Sequence, residues 1–144
     1  MRKIPYVILR VSDGDTIRVR VGKEEIKVRL YGIDAPEMKQ AGGRQGQIFL
    51  EDLILTESVR IETLDKDKYG REVSLVILPD GTLAQDHLMA AGKAWVYTKY
   101  CRIAKCKEWK QMEKTAKASR LGIWRDDNAV PPWEWRKTDK EQGR

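Results

Sequence analysis

Histidine is almost missing from this 144-residue chain: His87 stands alone, alongside two cysteines and one phenylalanine. A single imidazole excludes any mechanism that needs a pair, and His87 falls in a short helical pattern, where a structural role is expected. A zinc site is excluded for a related reason: it usually takes four protein ligands, and the chain offers two Cys and one His. No apolar run approaches the length that spans a bilayer. The opening residues, MRKIPYVILRVSDGD, alternate and run into a turn, without the apolar core and cleavage site of a secretion signal. The protein is therefore expected either to stay in the cytoplasm or to begin after a removed signal. Internal repeats and low-complexity tracts are missing too. Cys101 and Cys106 leave two alternatives. Residues five apart on a continuous helix point to separated sides, so a disulfide requires one cysteine outside regular helix; otherwise they are two idle thiols.

What the chain does have is charge. Hydrophobic residues make up 41% and charged residues 35% of a length that suits one domain with a real core. The net charge of +6 is unevenly spread: residues 93–125 carry +8, while the segments on either side carry −1 each. A one-sided basic stretch is the footprint of a polyanion partner. A helix with a solvated lysine face is the plainer reading and weighs equally for any single lysine.

Alternation predicts strands over Tyr6–Val11, Thr16–Val21, Glu25–Tyr31, Val59–Leu64 and Glu72–Leu78. Helices are expected over Gln45–Leu55, in AQDHLMAAG and over Ala104–Ser119, with a short extended AWVY between the last two. Five strands with helices between and after them predict an α+β, mostly β chain: a small closed barrel carrying about three helices. Residues 1–125 are expected to form this domain. Residues 126–144 are expected to be a polar, irregular tail, anchored to it by Pro131, Pro132, Trp133 and Trp135.

The stretch VRLYGIDAPE, Val28 to Glu37, raises the functional question, because an apolar strand ends on an acid, a proline and a second acid. Centring a hairpin on GKEE sets Val21 against Ile26, Val19 against Val28 and Ile17 against Leu30. Extending that register puts Asp15 opposite Gly32 and makes Asp34 its diagonal neighbour, within side-chain reach. Two carboxylates about 5 Å apart repel by roughly 3 kcal/mol at an effective dielectric of about 20. A shared proton, water, or a hard divalent cation with oxygen ligands would offset this; the register favours the cation. Asp13 is expected to serve the turn or to support the site. Glu37 lies just beyond, where a carboxylate can orient or deprotonate water. Arg29 and Arg71 offer permanent charge and a fork suited to phosphate oxygens.

DGDT at 13–16, RLYGIDAPE at 29–37, DKYGR at 67–71, and the later AWVY and LGIW together resemble the staphylococcal nuclease (thermonuclease) family, in order from Val7 to Trp124. That resemblance implies a five-stranded oligonucleotide-binding (OB) barrel and a calcium-dependent phosphodiesterase that cuts DNA and RNA to 3′-phosphates. It makes Asp15, Asp34 and the Ala35 carbonyl the ligands of one calcium ion, and places Glu37 near the attacking water. It sets Arg29 and Arg71 on the reacting phosphate, Lys68 and Tyr69 on a terminal phosphate, and Trp95 and Tyr97 along the nucleotide pocket. Ala35 replaces a frequent threonine, which a backbone ligand survives, and Trp95 replaces a tyrosine, losing a hydroxyl. The loop MKQAGGRQG looks shorter and less lysine-rich than in the family's best-known member.

Single-stranded nucleic acid is the expected substrate and a monomer the expected state, with no membrane partner; only the resemblance favours secretion or the periplasm. A non-catalytic OB-type binding module is the alternative. Such a module would be expected to lose one of Asp15, Arg29, Asp34, Glu37 or Arg71, and all five are present.

Overall fold

The structure, a computed structural model, describes residues 6–141; the outer ends of both expected segments, residues 1–5 and 142–144, lie outside it. In chain order the strands are β1 (Tyr6–Asp13), β2 (Thr16–Val21), β3 (Glu24–Leu30), β4 (Ile33–Asp34), β5 (Arg60–Lys66), β6 (Glu72–Ile77) and β7 (Trp95–Val96). The α-helices are α1 (Gly43–Ile54), α2 (Ala84–Ala90), α3 (Lys105–Ala118) and α4 (Pro132–Glu141). β1, β2 and β3 form an antiparallel meander, β3 runs parallel to β6, and β6 pairs antiparallel with β5. The result is a five-stranded sheet of order β1-β2-β3-β6-β5, with a second two-stranded sheet of β4 and β7. This is the α+β class that the strand and helix periodicities predict, with an OB-like five-stranded sheet.

Alternation explains the core. Ile17, Val19, Val28 and Leu30 point to one side of the sheet and are fully buried, while Arg18, Lys27 and Arg29 lie on the other parity. Leu50 and Ile54 of α1, Leu88 and Met89 of α2, and Trp109 of α3 close the same core from the helical side. Among the described residues no helix is long and apolar enough to cross a membrane.

Three expectations are changed or resolved. The β2–β3 hairpin turns through Gly22 and Lys23 alone, with Gly22 at φ 61, so Val21 pairs with Glu24, Val19 with Ile26 and Ile17 with Val28. Two-residue hairpins favour positive φ, which glycine adopts without strain. The shift from the expected register is even, so every apolar residue keeps its face, but Asp15 now lies beside Leu30, whose amide donates to the Asp15 carbonyl at 2.8 Å. The tail, expected to be irregular, contains a fourth α-helix. Pro132 sits in its first turn, where a missing N–H costs nothing, and the amides of Glu134 and Trp135 donate to the Pro131 carbonyl at 3.0 Å. Finally, Cys101 lies before α3 and Cys106 in its first turn, and the two are joined in a disulfide with Cα atoms 5.9 Å apart.

Candidate active site

Asp15 leaves the β1–β2 turn beside Ala35. A Cβ on Gly14 would come within 2.8 Å of the Ala35 Cβ, so glycine is what lets the turn approach this closely. The Ala35 amide donates to Asp15 Oδ2 at 2.7 Å, and Thr16 Oγ1 donates to Oδ1 at 3.1 Å. Asp34 ends β4, paired with Trp95 of β7, and is only 1% exposed. One guanidinium spans both acids: Arg29 Nη1 lies 3.3 Å from Asp15 Oδ2, and Nη2 lies 3.3 Å from Asp34 Oδ1. Arg29 Nη1 also donates to the carbonyls of Leu30 and Ile33 at 2.9 Å, so this arginine is held by the backbone on both sides of the bend that leads into β4. The two carboxylates thus meet around Arg29, through the β4 bend and the Ala35 amide, rather than across the diagonal of the expected register.

Burial dominates the electrostatics. It raises the Asp34 carboxyl above its ordinary range; a hydrogen bond from Arg136 opposes the rise, and the neighbouring Asp15 charge adds to it. Asp15 also feels burial, but the Arg29 charge and hydrogen bonds involving Asp13, Ala35 and Thr16 outweigh it and hold the group low. Asp13 is pushed up to about 8, first by burial and then by the Asp15 charge, and its Oδ1 accepts from the Asp15 amide at 3.0 Å.

Among the described residues no group of three or more His, Cys, Asp or Glu side chains gathers as a metal site. The oxygens that converge are those of two buried carboxylates, Asp15 and Asp34, a set that suits a hard cation and leaves its other positions to backbone oxygen, water and substrate. Three carboxylates, Asp15, Asp34 and Glu37, face two guanidinium groups, Arg29 and Arg136, which leaves one formal negative charge, and this acidic oxygen set fits a divalent ion.

The remaining expected residues divide into two groups. Glu37 follows Ala35 and Pro36 at the rim, with its side chain 34% exposed. Arg71 precedes β6, the strand that runs beside β3, and its Nε donates to Asp67 Oδ2 at 2.7 Å. Asp67 Oδ1 also accepts from the amides of Tyr69 and Arg71 at 3.0 Å, which shapes the loop. Tyr69 is exposed, with Lys68 and Arg71 cations 5.2 and 5.6 Å from its ring centre. Tyr97 continues β7, its amide donating to the Gly32 carbonyl at 2.8 Å. Trp95 is turned inward, edge-on to Trp124 at 4.7 Å, so the structure does not bring it to an open face with Tyr97.

Comparison with known proteins identifies the family. A family model described as "Staphylococcal nuclease homologue" matches residues 27–126. The chain belongs to the staphylococcal nuclease family. An uncharacterized endonuclease of Escherichia coli O157:H7 is 36% identical over 129 residues, covering 90% of this chain and 82% of that protein. A micrococcal nuclease of Shigella flexneri is 36% identical over 141 residues, covering 92% and 80%. A probable staphylococcal-like nuclease of Oryza sativa subsp. japonica is 34% identical over 120 residues, or 83% of this chain and 35% of that protein.

Two residues at the site of this nuclease-family chain escaped the sequence reading. Arg136 of α4 reaches in from beyond the family match: its Nη1 donates to Glu37 Oε1 at 2.8 Å and its Nη2 to Asp34 Oδ2 at 2.7 Å. Gln40 accepts from the Glu37 amide at 3.2 Å and donates to the Val130 carbonyl at 2.7 Å. The available signal was Pro-Pro before WEWR, a helix start that puts Trp133 and Arg136 three residues apart on one face. Trp133 stacks on Tyr97, with ring centres 5.3 Å apart and planes 7° from parallel. The basic excess of residues 93–125 is partly consumed inside the fold: Lys105 pairs with Asp86 and Glu108, Lys110 with Glu113, and Lys117 covers Trp124.

Proposed function

We propose that this nuclease hydrolyses phosphodiester bonds of DNA and RNA with one calcium ion, leaving 3′-phosphates and favouring single strands. That it is a nuclease, an enzyme of the phosphodiesterase class, follows from its family. The observation that carries the finer reading is the pair of buried carboxylates, Asp15 and Asp34, shared by Arg29 and bordered by Glu37. An oxygen-ligated cation suits that pair, held by Asp15, Asp34 and the Ala35 carbonyl. When bound, it supplies positive charge to a phosphate oxygen and lowers the pKa of water.

The chain's own groups account for the rest. Glu37, half-exposed at the rim, accepts the proton of the attacking water as its oxygen bonds to phosphorus and the bond to the 5′ oxygen breaks. Arg29, fixed by two backbone carbonyls, donates to a phosphate oxygen without reorganising. Arg71, steadied by Asp67, donates toward the leaving oxygen. Lys68 and Tyr69 contact a terminal phosphate, and Tyr97, its ring stacked with Trp133, lines the nucleotide cleft. The inward Trp95 supports that strand rather than stacking on substrate.

The test is digestion of single-stranded DNA and RNA in calcium and in chelator, followed by end-group analysis. Cleavage only with calcium, leaving 3′-phosphates, is the expected result. Full activity in chelator would remove the calcium assignment, and 5′-phosphate products would reverse the assignment of the leaving oxygen.

A further inference from the structure

Helix α4 brings a second arginine to the carboxylates. We propose that Arg136 is a positioning residue for hydrolysis, holding the Glu37 and Asp34 carboxylates in their working orientations; this rests on the nuclease reading above. Three observations support it. The fork is two-sided: Nη1 reaches Glu37 Oε1 at 2.8 Å and Asp34 Oδ1 at 3.2 Å, while Nη2 reaches Asp34 Oδ2 at 2.7 Å. Glu37, half-exposed at the rim, would otherwise rotate freely, and an acid that must meet one water gains from being held.

Second, α4 is fastened to the loop that carries Glu37. The buried side chain of Gln40 accepts from the Glu37 amide at 3.2 Å and donates to the Val130 carbonyl at 2.7 Å, just before the helix. Trp133, one turn before Arg136, lies flat on Tyr97 at 5.3 Å. Helix, loop and aromatic wall are thus tied at three points, which is how a permanent part of a site is built rather than a loosely held plug.

Third, the charges balance. Asp15, Asp34 and Glu37 face Arg29 and Arg136, which leaves one negative charge. A divalent cation together with one phosphodiester anion brings that total to zero, and Arg71 remains for charge that develops as the bond breaks. With Arg136 the cation-loaded site presents one net positive charge to the phosphodiester; without it the site would be neutral and would lose that attraction. The cleft beside this helix, about 460 Å³, is lined by Tyr97, Thr98, Lys99, Trp133, Arg136 and Lys137. Its aromatic wall, with Lys99 and Lys137 beside the paired Arg136, suits a nucleotide.

The experiment compares wild type with Arg136→Ala and Arg136→Lys in the full chain, by steady-state cleavage of single-stranded DNA and by calorimetric calcium titration. In Arg136→Ala, kcat should fall by about 100-fold, the usual range for removing one preorganised contact. Calcium should bind within a few-fold of wild type, because losing a repelling cation offsets the looser Asp34. Structural damage would weaken both strongly, so a large rate loss with calcium binding kept identifies positioning. Arg136→Lys keeps the charge but loses the fork, and should recover about tenfold of the lost rate. It also keeps the comparison alive if the alanine variant does not fold. Adding Glu37→Gln to Arg136→Ala should slow turnover little beyond Glu37→Gln alone, since both act through one carboxylate. Turnover in Arg136→Ala equal to or above wild type would overturn the inference, the latter by making the fork a plug; so would fully additive losses in the double variant. Wild type without calcium-dependent cleavage would instead sink the nuclease reading beneath it.

Discussion

Arg29 on β3 and Arg71 just before the neighbouring β6 carry the same group and are proposed to meet the same phosphate, but their surroundings differ. Arg29 is 13% exposed and braced by the carbonyls of Leu30 and Ile33 as well as by two buried acids. Arg71 is 28% exposed, sits at a hairpin loop and is held by one acid, Asp67, four residues away. The first is a structural member of the fold as well as a proposed site group; the second is a proposed site group on a light tether. Burial, not residue type, sets how much the fold depends on each.

Lysine at each position breaks or sharpens that contrast. Arg29→Lys should have the larger effect, about 1,000-fold in kcat/KM. It should also destabilise the fold by about 1–3 kcal/mol in urea denaturation, because buried carbonyls and carboxylates lose donors. Arg71→Lys should cost about 100-fold in kcat and leave the urea midpoint within about 0.5 kcal/mol. Equal stability losses at the two positions would erase the distinction.

Asp13 provides the smallest and subtlest test. Its carboxyl is raised to about 8 by burial and by Asp15. Between the ordinary value and the raised one, the unfolded chain releases a proton that the folded chain keeps. This contribution to stability therefore falls as pH rises from about 4 to about 8, and levels off above that. In chelator, Asp13→Asn should flatten that fall and gain on the order of 1 kcal/mol over wild type at pH 8. A variant whose stability follows the wild-type curve at every pH would mean that Asp13 titrates normally.

Strict alternation made the strands legible: β2 and β3 lie within a residue of their expected bounds, and the buried face of each was readable before the pairing was known. The register was not, because Gly22–Lys23 and GKEE are both reasonable turns and differ by an even shift that periodicity cannot detect. Asp15 and Asp34 could be paired from their position at strand ends, but the device that joins them, the β4 bend around Arg29, rests on long-range pairing with β7. Trp95 and Tyr97 looked alike as alternate aromatics, yet Trp124 and α3 claim one of them: Glu113 Oε2 accepts from the Val96 amide at 2.8 Å and fixes the strand. Arg136 was hidden for a plainer reason. Nothing in a ten-residue amphiphilic tail says which distant carboxylates its arginine will meet.

The proposed chemistry depends on Asp15 and Asp34 together holding a divalent cation. Isothermal calorimetry of calcium into wild type and Asp34→Asn, with a deoxynucleoside monophosphate present, tests it most directly. One ion per wild-type chain and none measurable in the variant is the expected result. Equal uptake by both proteins, or no uptake by wild type, would contradict it.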